Sequence, residues 1–329
     1  MGLPGFEAML RRIGIDRYMM ALILTVVLAA LLPARGAVAG VLSQLTFWVV
    51  ALLFFLYGAK LSLAATWAGL TNWRLQLGCL LCTFALFPVL TQGLQPLVAL
   101  GLPAAIAVGI LYIGCLPSTV QSSIAFTSVS GGNVAGALCA ASLSNLIGVV
   151  LSPVLLALLL HRAQGDGIAL DAIWKITQQI LLPFALGQLC RPLLAGFLNR
   201  HKLPLMIVDR GSILLIVYAA FSAGVVGGIW HMLSLGAIAW LIALCAGLLA
   251  VVMGIITLAG RLAGLPSEDR LALLYVGSTK SLATGLPMAG ILFQGRDIAL
   301  IILPLMLFHL IQLTVLAILS QRIAARGRA

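Results

Sequence analysis

The stretch Leu111-Tyr112-Ile113-Gly114-Cys115-Leu116-Pro117-Ser118-Thr119 decides how this chain folds, because its opening recurs. Leu274-Tyr275-Val276-Gly277-Ser278-Thr279-Lys280-Ser281 stands 163 residues later (112 to 275), and Gly132 and Gly295 repeat that spacing. Gln121, Ser122 and Ser123 follow the first stretch. Each stretch interrupts a long apolar segment with small and hydroxyl residues, which free backbone groups from a helix. Such backbone is tolerated at membrane depth only where it is buried in protein or lines a wet cavity. A matched pair of interrupted segments in two halves points to a transporter's binding site.

Composition agrees with a membrane setting. The chain has 329 residues, 62% hydrophobic and 8% charged, with a mean hydropathy of +1.18. Soluble domains carry about 25% charged residues. Hydropathy predicts spans near 18–34, 41–59, 75–92, 98–130 (broken), 134–161, 172–190, 208–230, 233–260, 270–294 (broken) and 298–320. The first apolar stretch lacks a small-residue cleavage site and reads as a retained helix. A net charge of +11 would suit nucleic acid in a soluble protein, but here the basic residues fall between apolar spans and form no patch.

Those basic residues set orientation. With a cytoplasmic N-terminus, the inside segments hold Arg11, Arg12, Arg17, Lys60, Arg74, Arg191, Arg200, Lys202, Arg210, Arg261, Arg270, Arg322, Arg326 and Arg328. The outside segments hold Arg35, Arg162, Lys175 and Arg296. The asymmetry predicts both termini inside, an even number of spans, and a multi-pass protein of the plasma (inner) membrane. Five spans per half is odd, so a duplicated unit inserts with opposite orientation. The expected architecture is all-α integral membrane: ten transmembrane helices in an inverted repeat of five and five, residues 1–165 and 166–329. The discontinuous fourth and ninth helices are antiparallel and cross near the bilayer centre.

Within the spans, Lys280 stands out. It lies nine residues into its segment, about 14 Å deep at 1.5 Å per residue. An ammonium at that depth usually faces a cavity and marks the path of a transported species. Its expected company is the C-terminal end of the half-helix before it, near Gly277, with Ser278, Thr279 and Ser281. Every carboxylate, Asp209 among them, is placed at a span end or in a loop, so a relay of buried acids is not expected. The half-helices that start near Thr119 and Ser281 present N–H groups suited to an anionic substrate. The hydroxyls of Ser118, Thr119, Ser122, Ser123, Thr127 and Ser128 line the path or back-bond one turn earlier in their own helix. His309 and Gln312 share a face of the last span and are expected chiefly to hydrogen-bond a neighbouring helix. No metal spacing, nucleophile elbow, P-loop or dinucleotide fingerprint occurs, so an enzyme is not expected. The six cysteines, including the C-x-x-C of Cys79 and Cys82, lie in apolar segments and read as packing residues.

Phe84-Ala85-Leu86-Phe87-Pro88, Gly132-Asn133-Val134-Ala135, Leu151-Ser152-Pro153 and Val276-Gly277 resemble the bile acid:sodium symporter family. Leu32-Pro33-Ala34-Arg35-Gly36 and Tyr57-Gly58-Ala59-Lys60-Leu61-Ser62 are similar to its SBF-like bacterial branch, to which eukaryotic orphan carriers belong. The resemblance implies a panel domain (spans one, two, six and seven) and a core domain (the others), with substrate and ions at the crossing. It also implies Na⁺-coupled uptake of a small organic anion, with no other cofactor. By that resemblance, the family's ligand positions fall on Gln121 and Ser122, on Ala137 and Ala141, on Tyr275, on Thr279 and Lys280, and on Thr83. Most oxygen donors are thus absent and a cation has arrived.

Three readings compete. The first is a carrier, monomeric or homodimeric, in which Lys280 replaces a coupling cation, with coupling to protons or to nothing. The second is ordinary Na⁺ symport using carbonyls and the remaining hydroxyls. The third is a non-transporting membrane regulator of ion homeostasis.

Overall fold

A computed structural model of the protein describes residues 17–60, 72–164, 170–228, 233–293 and 297–326. The described residues are helical throughout, joined by short turns. In chain order the helices are α1 (Arg17–Leu31), α2 (Gly36–Lys60), α3 (Trp73–Gly93), α4 (Gln95–Ala99), α5 (Ala104–Cys115), α6 (Gln121–Val129), α7 (Val134–Gln164), α8 (Leu170–Arg200), α9 (Lys202–Val226), α10 (Leu235–Leu262), α11 (Ser267–Gly277), α12 (Leu282–Leu292) and α13 (Ile298–Arg326). Six of them, α2, α3, α7, α9, α10 and α13, are long and apolar enough to cross a membrane. Leucines such as Leu193 and Leu235 are 85% and 87% exposed, along with many others. So much open apolar surface is incompatible with water and suits lipid.

The two quoted stretches break as their residues require. α5 stops at Cys115 because Pro117 has no N–H to continue the ladder, and Leu116 is extended (ψ 151°). α6 then starts at Gln121. In the second segment α11 ends at Gly277, and α12 begins after Ser281, whose hydroxyl caps it by accepting from the Thr284 N–H at 3.1 Å. Gly295 lies outside the described residues, as does the expected join of the two halves near residue 165.

Packing separates two sets of helices. α2 lies along α8, and α9 lies against α1 and α2. The α2–α8 pair is unusually close. A Cβ on Gly58 would strike the Phe184 carbonyl, and one on Gly187 would strike the Phe55 carbonyl. Only hydrogen fits at both points, so backbone meets backbone as at other small-residue interfaces in membranes. The second set holds both broken segments: α5 packs on α3, α7 and α13, and α11 packs on α3, α6, α7 and α10. Contacts of α9 and α2 with α12 join the sets.

Asp209 and Arg210 depart from expectation. Neither is in a loop. α9 begins at Lys202, so both lie two turns inside a helix that can span a membrane, about 10 Å along its axis. Hydropathy placed the start six residues late because the apolar run Leu203-Pro204-Leu205-Met206-Ile207 was assigned to the loop with the charged residues before it.

Candidate functional site

The two breaks are hydrogen-bonded to each other. The Ser281 N–H donates to the Pro117 carbonyl (2.8 Å), and the Ser118 hydroxyl donates to the Val276 carbonyl (2.6 Å). The Thr279 hydroxyl lies 2.9, 3.1 and 2.8 Å from those of Ser118, Thr119 and Ser123. Ser122 joins through Thr119 at 2.6 Å. The sequence thus brings five hydroxyls into one cluster, four of them buried and Ser122 half-buried at the cavity wall. Ser278 stands apart from it and bonds back to Leu274, as does Thr127 to Ser123.

Lys280 is fully buried, and its ammonium turns away from the half-helix that precedes it. Its partners are the carbonyls of Gly114 (3.0 Å), Leu116 (2.7 Å) and Thr83 (2.8 Å), which corrects the expected company of Ser278, Thr279 and Ser281. The reason lies in which carbonyls lack a donor. Gly114 would be served by the N–H of residue 118, but the Ser118 N–H goes to the Ser144 hydroxyl (3.1 Å), and Pro117 has none. In α3 a π-helical turn over Cys82–Leu86 hands the Phe87 N–H to Cys82. The next donor for Thr83 would come from Pro88, which again has none. Two prolines therefore expose carbonyls that a buried ammonium can satisfy with its three donors. The Phe87 ring closes the site, its centroid 4.1 Å from the nitrogen, in cation–π range.

Thr83 thus serves through its backbone, its own hydroxyl bonding back to Cys79 (2.8 Å). Gln312 clamps the Lys280 main chain from the far side, accepting its N–H (2.8 Å) and donating to its carbonyl (2.9 Å). His309 Nδ1 lies 2.8 Å from the Gln312 amide on its own helix and 3.4 Å from the Lys280 carbonyl, so the expected bonding to a neighbouring segment runs to the Lys280 main chain. The two repeated tyrosines reach across in matched fashion. Tyr112 on α5 donates to Gly285 on α12 (2.6 Å), and the Tyr275 hydroxyl on α11 lies 2.6 Å from that of Ser130, just past α6.

A cavity of about 740 Å³ opens beside the breaks. Its walls include Thr119, Gln121 and Ser122 at the start of α6, Ser281 and Thr284 at the start of α12, and His309. They also include Tyr57, Lys60, Asn145, Asp209 and Arg210, none of which the sequence reading selected. Asn145 ties the two breaks by donating to the Ser118 carbonyl (2.8 Å) and accepting from the Thr284 hydroxyl (2.9 Å). Its signal was the polar run Ser142-Leu143-Ser144-Asn145 in an otherwise apolar span.

Residues 16–325 match the model of the SBF-like CPA transporter family. The chain belongs to that family. The SBF-like protein is 48% identical over 311 residues to an uncharacterized protein of Pseudomonas aeruginosa, covering 94% of this chain and 93% of the relative. It is 43% identical over 308 residues to YfeH of Escherichia coli, whose name proposes a symporter, covering 94% and 92%. Rat sodium/bile acid cotransporter 7 is 26% identical over 308 residues, covering 92% and 90%. Family and helices together make this a multi-pass membrane protein of a transporter family.

Proposed function

We propose that this SBF-like protein is a secondary transporter that moves a small organic anion by alternating access, with the Lys280 ammonium standing permanently where a coupling cation would bind. The observation that carries the reading is the buried ammonium on three carbonyls, those of Gly114 and Leu116 at the break after α5 and that of Thr83 at the π-helical turn before Pro88. Unwound carbonyls of broken helices are what hold coupling ions in other carriers. The ten spans form two inverted repeats, 1–165 and 166–329, a division that the reciprocal bonds of Tyr112 and Tyr275 support. α1, α2, α8 and α9 act as the panel, and the remaining helices as the core. Both termini lie in the cytoplasm of a plasma-membrane carrier.

The cavity between panel and core is the substrate site. Two half-helix N-termini and the cations Lys60 and Arg210 favour an anionic group there, and Phe126, Leu146, Val149 and Leu313 favour an apolar body. The printed name of the rat relative, a sodium/bile acid cotransporter, points the same way for the anion. The test is counterflow of labelled organic anions, bile acids included, in proteoliposomes. Exchange should proceed equally in sodium and choline buffers. Exchange that stops in choline would overturn the role of Lys280, and no exchange of any anion would overturn the substrate class.

A second reading, Na⁺ symport, is favoured by the cluster of Ser118, Thr119, Ser123 and Thr279 hydroxyls beside the carbonyls of Tyr275 and Val276. It requires sodium-specific thermal stabilisation of the purified protein.

A further inference from the structure

The cavity wall carries charges of both signs that do not neutralise each other. Asp209 on α9 is half-buried there, and among the described residues its partner is the Tyr57 hydroxyl at 3.1 Å. Arg210 is the next residue, but neighbours in sequence do not face each other on a helix. Its guanidinium lies instead 5.0 Å from the centre of the Tyr18 ring on α1. Lys60, at the end of α2, lines the same cavity. Among the described residues neither cation forms an ion pair with Asp209.

A second acceptor stands beside the carboxylate. The Ala283 carbonyl, in the first turn of α12, has no helical donor because the residue four places on is Pro287. Ala283 is exposed on the cavity, where water can serve its carbonyl until a ligand arrives. Tyr57 Oη lies 3.2 Å from that carbonyl and 3.1 Å from Asp209, so both acceptors are within reach of one small group.

We propose that the organic anion taken up by this cavity also carries an ammonium group, which Asp209 and the Ala283 carbonyl bind while Arg210 and Lys60 hold its acid. A carboxylate, a carbonyl and a phenolic oxygen match the three N–H donors of a primary ammonium. They are too few for a calcium or magnesium ion, which takes about six oxygens or more. Arg210 offers a carboxylate its planar fork of donors. Adjacent positions on α9 thus present the two signs side by side, as an amino acid carries its acid and its amine on one carbon. Phe126, Leu146 and Leu313 take the apolar body. A simple amine meets Arg210 and Lys60 uncompensated, and a simple acid leaves Asp209 unmatched. The inference rests on the reading of this cavity as the substrate site and narrows its occupant to an amphipathic zwitterion.

The test is thermal unfolding of the purified full-length protein, followed by tryptophan fluorescence and titrated with 4-phenylbutanoate or 2-amino-4-phenylbutanoate. The two probes differ by the ammonium alone. The amino acid should reach half of its stabilisation at a concentration about tenfold or more lower, since the added bonds involve charged groups. Asp209→Asn should remove that preference, and Arg210→Gln should weaken both probes. Should the asparagine variant fail to fold, the N,N,N-trimethylated amino acid tests the wild type directly: it keeps the charge, has no N–H, and should lose most of the advantage. Equal binding of acid and amino acid, a preference that survives Asp209→Asn, Arg210→Gln without effect, or a trimethylated probe equal to the primary amine would overturn the proposal and leave the organic-anion reading standing. Stabilisation by neither probe would overturn both.

Discussion

Lys280→Ala empties the centre of the molecule, and its cost can be worked from the geometry. Three buried carbonyls lose their donor at about 1–3 kcal/mol each, about 3–9 kcal/mol together. Against this, the desolvation of the ammonium, several kcal/mol, is no longer incurred. These polar terms are of similar size and opposite sign. The remaining term is the cavity left by a buried four-carbon stem, about 2–5 kcal/mol on the scale of Met→Ala. At about 2 °C per kcal/mol for a chain of this length, thermal unfolding should fall by about 4–10 °C in choline buffer. The six tryptophans give the fluorescence signal. Ethylammonium can enter the vacated space and reach the same carbonyls, whereas choline has no N–H to donate. Ethylammonium at 100 times its dissociation constant should return about 2.7 kcal/mol, and the wild type should not respond. A variant as stable in choline as the wild type, or one that ethylammonium and choline stabilise equally, would refute the reasoning.

Adding Pro88→Ala to Lys280→Ala supplies Thr83 with an in-helix donor. A hydrogen bond to a charged group contributes about 1.5–3 kcal/mol, so ethylammonium rescue should weaken by about tenfold or more in a titration of the unfolding midpoint. Gln312→Leu leaves the Lys280 N–H without its acceptor, while the carbonyl keeps His309 within 3.4 Å, and should cost about 1–3 kcal/mol, read in the same assay. Gly187→Ala drives a methyl into the Phe55 carbonyl and should cost about 1–3 kcal/mol or more, or abolish recovery of monodisperse protein in size-exclusion chromatography. Gly196→Ala, which meets open space on the same helix, is its control.

The breaks were legible because they depend on local chemistry: Pro117 withholds a backbone donor, and the run from Gly277 to Ser281 gathers small and hydroxyl residues that hold a helix weakly. The depth of Lys280 was legible for the same reason, since it is a count along one segment. The direction of its side chain was not. That direction follows from which carbonyls elsewhere lack donors, and the decisive one, Thr83, is released only because α3 takes a π-helical turn into Pro88. Phe84-Ala85-Leu86-Phe87-Pro88 resembles a stretch of other carriers, and the N–H that Pro88 lacks is the feature of it that bears on Lys280. Asp209 was lost to a boundary error of two turns, which removed a carboxylate from the cavity wall. Gln121 and Ser122, named from the interrupted stretch and from the family resemblance, lie on the cavity wall at the start of α6. Tyr57 and Asn145 were not selected as site residues, because their importance lies in pairing with helices remote in sequence.

A cation on a side chain differs from a dissolved one in that it cannot be diluted. Lys280 reaches its carbonyls at an effective concentration set by its own tether, whatever the medium contains. The heart of this protein should therefore keep its shape in fresh water and in brine alike.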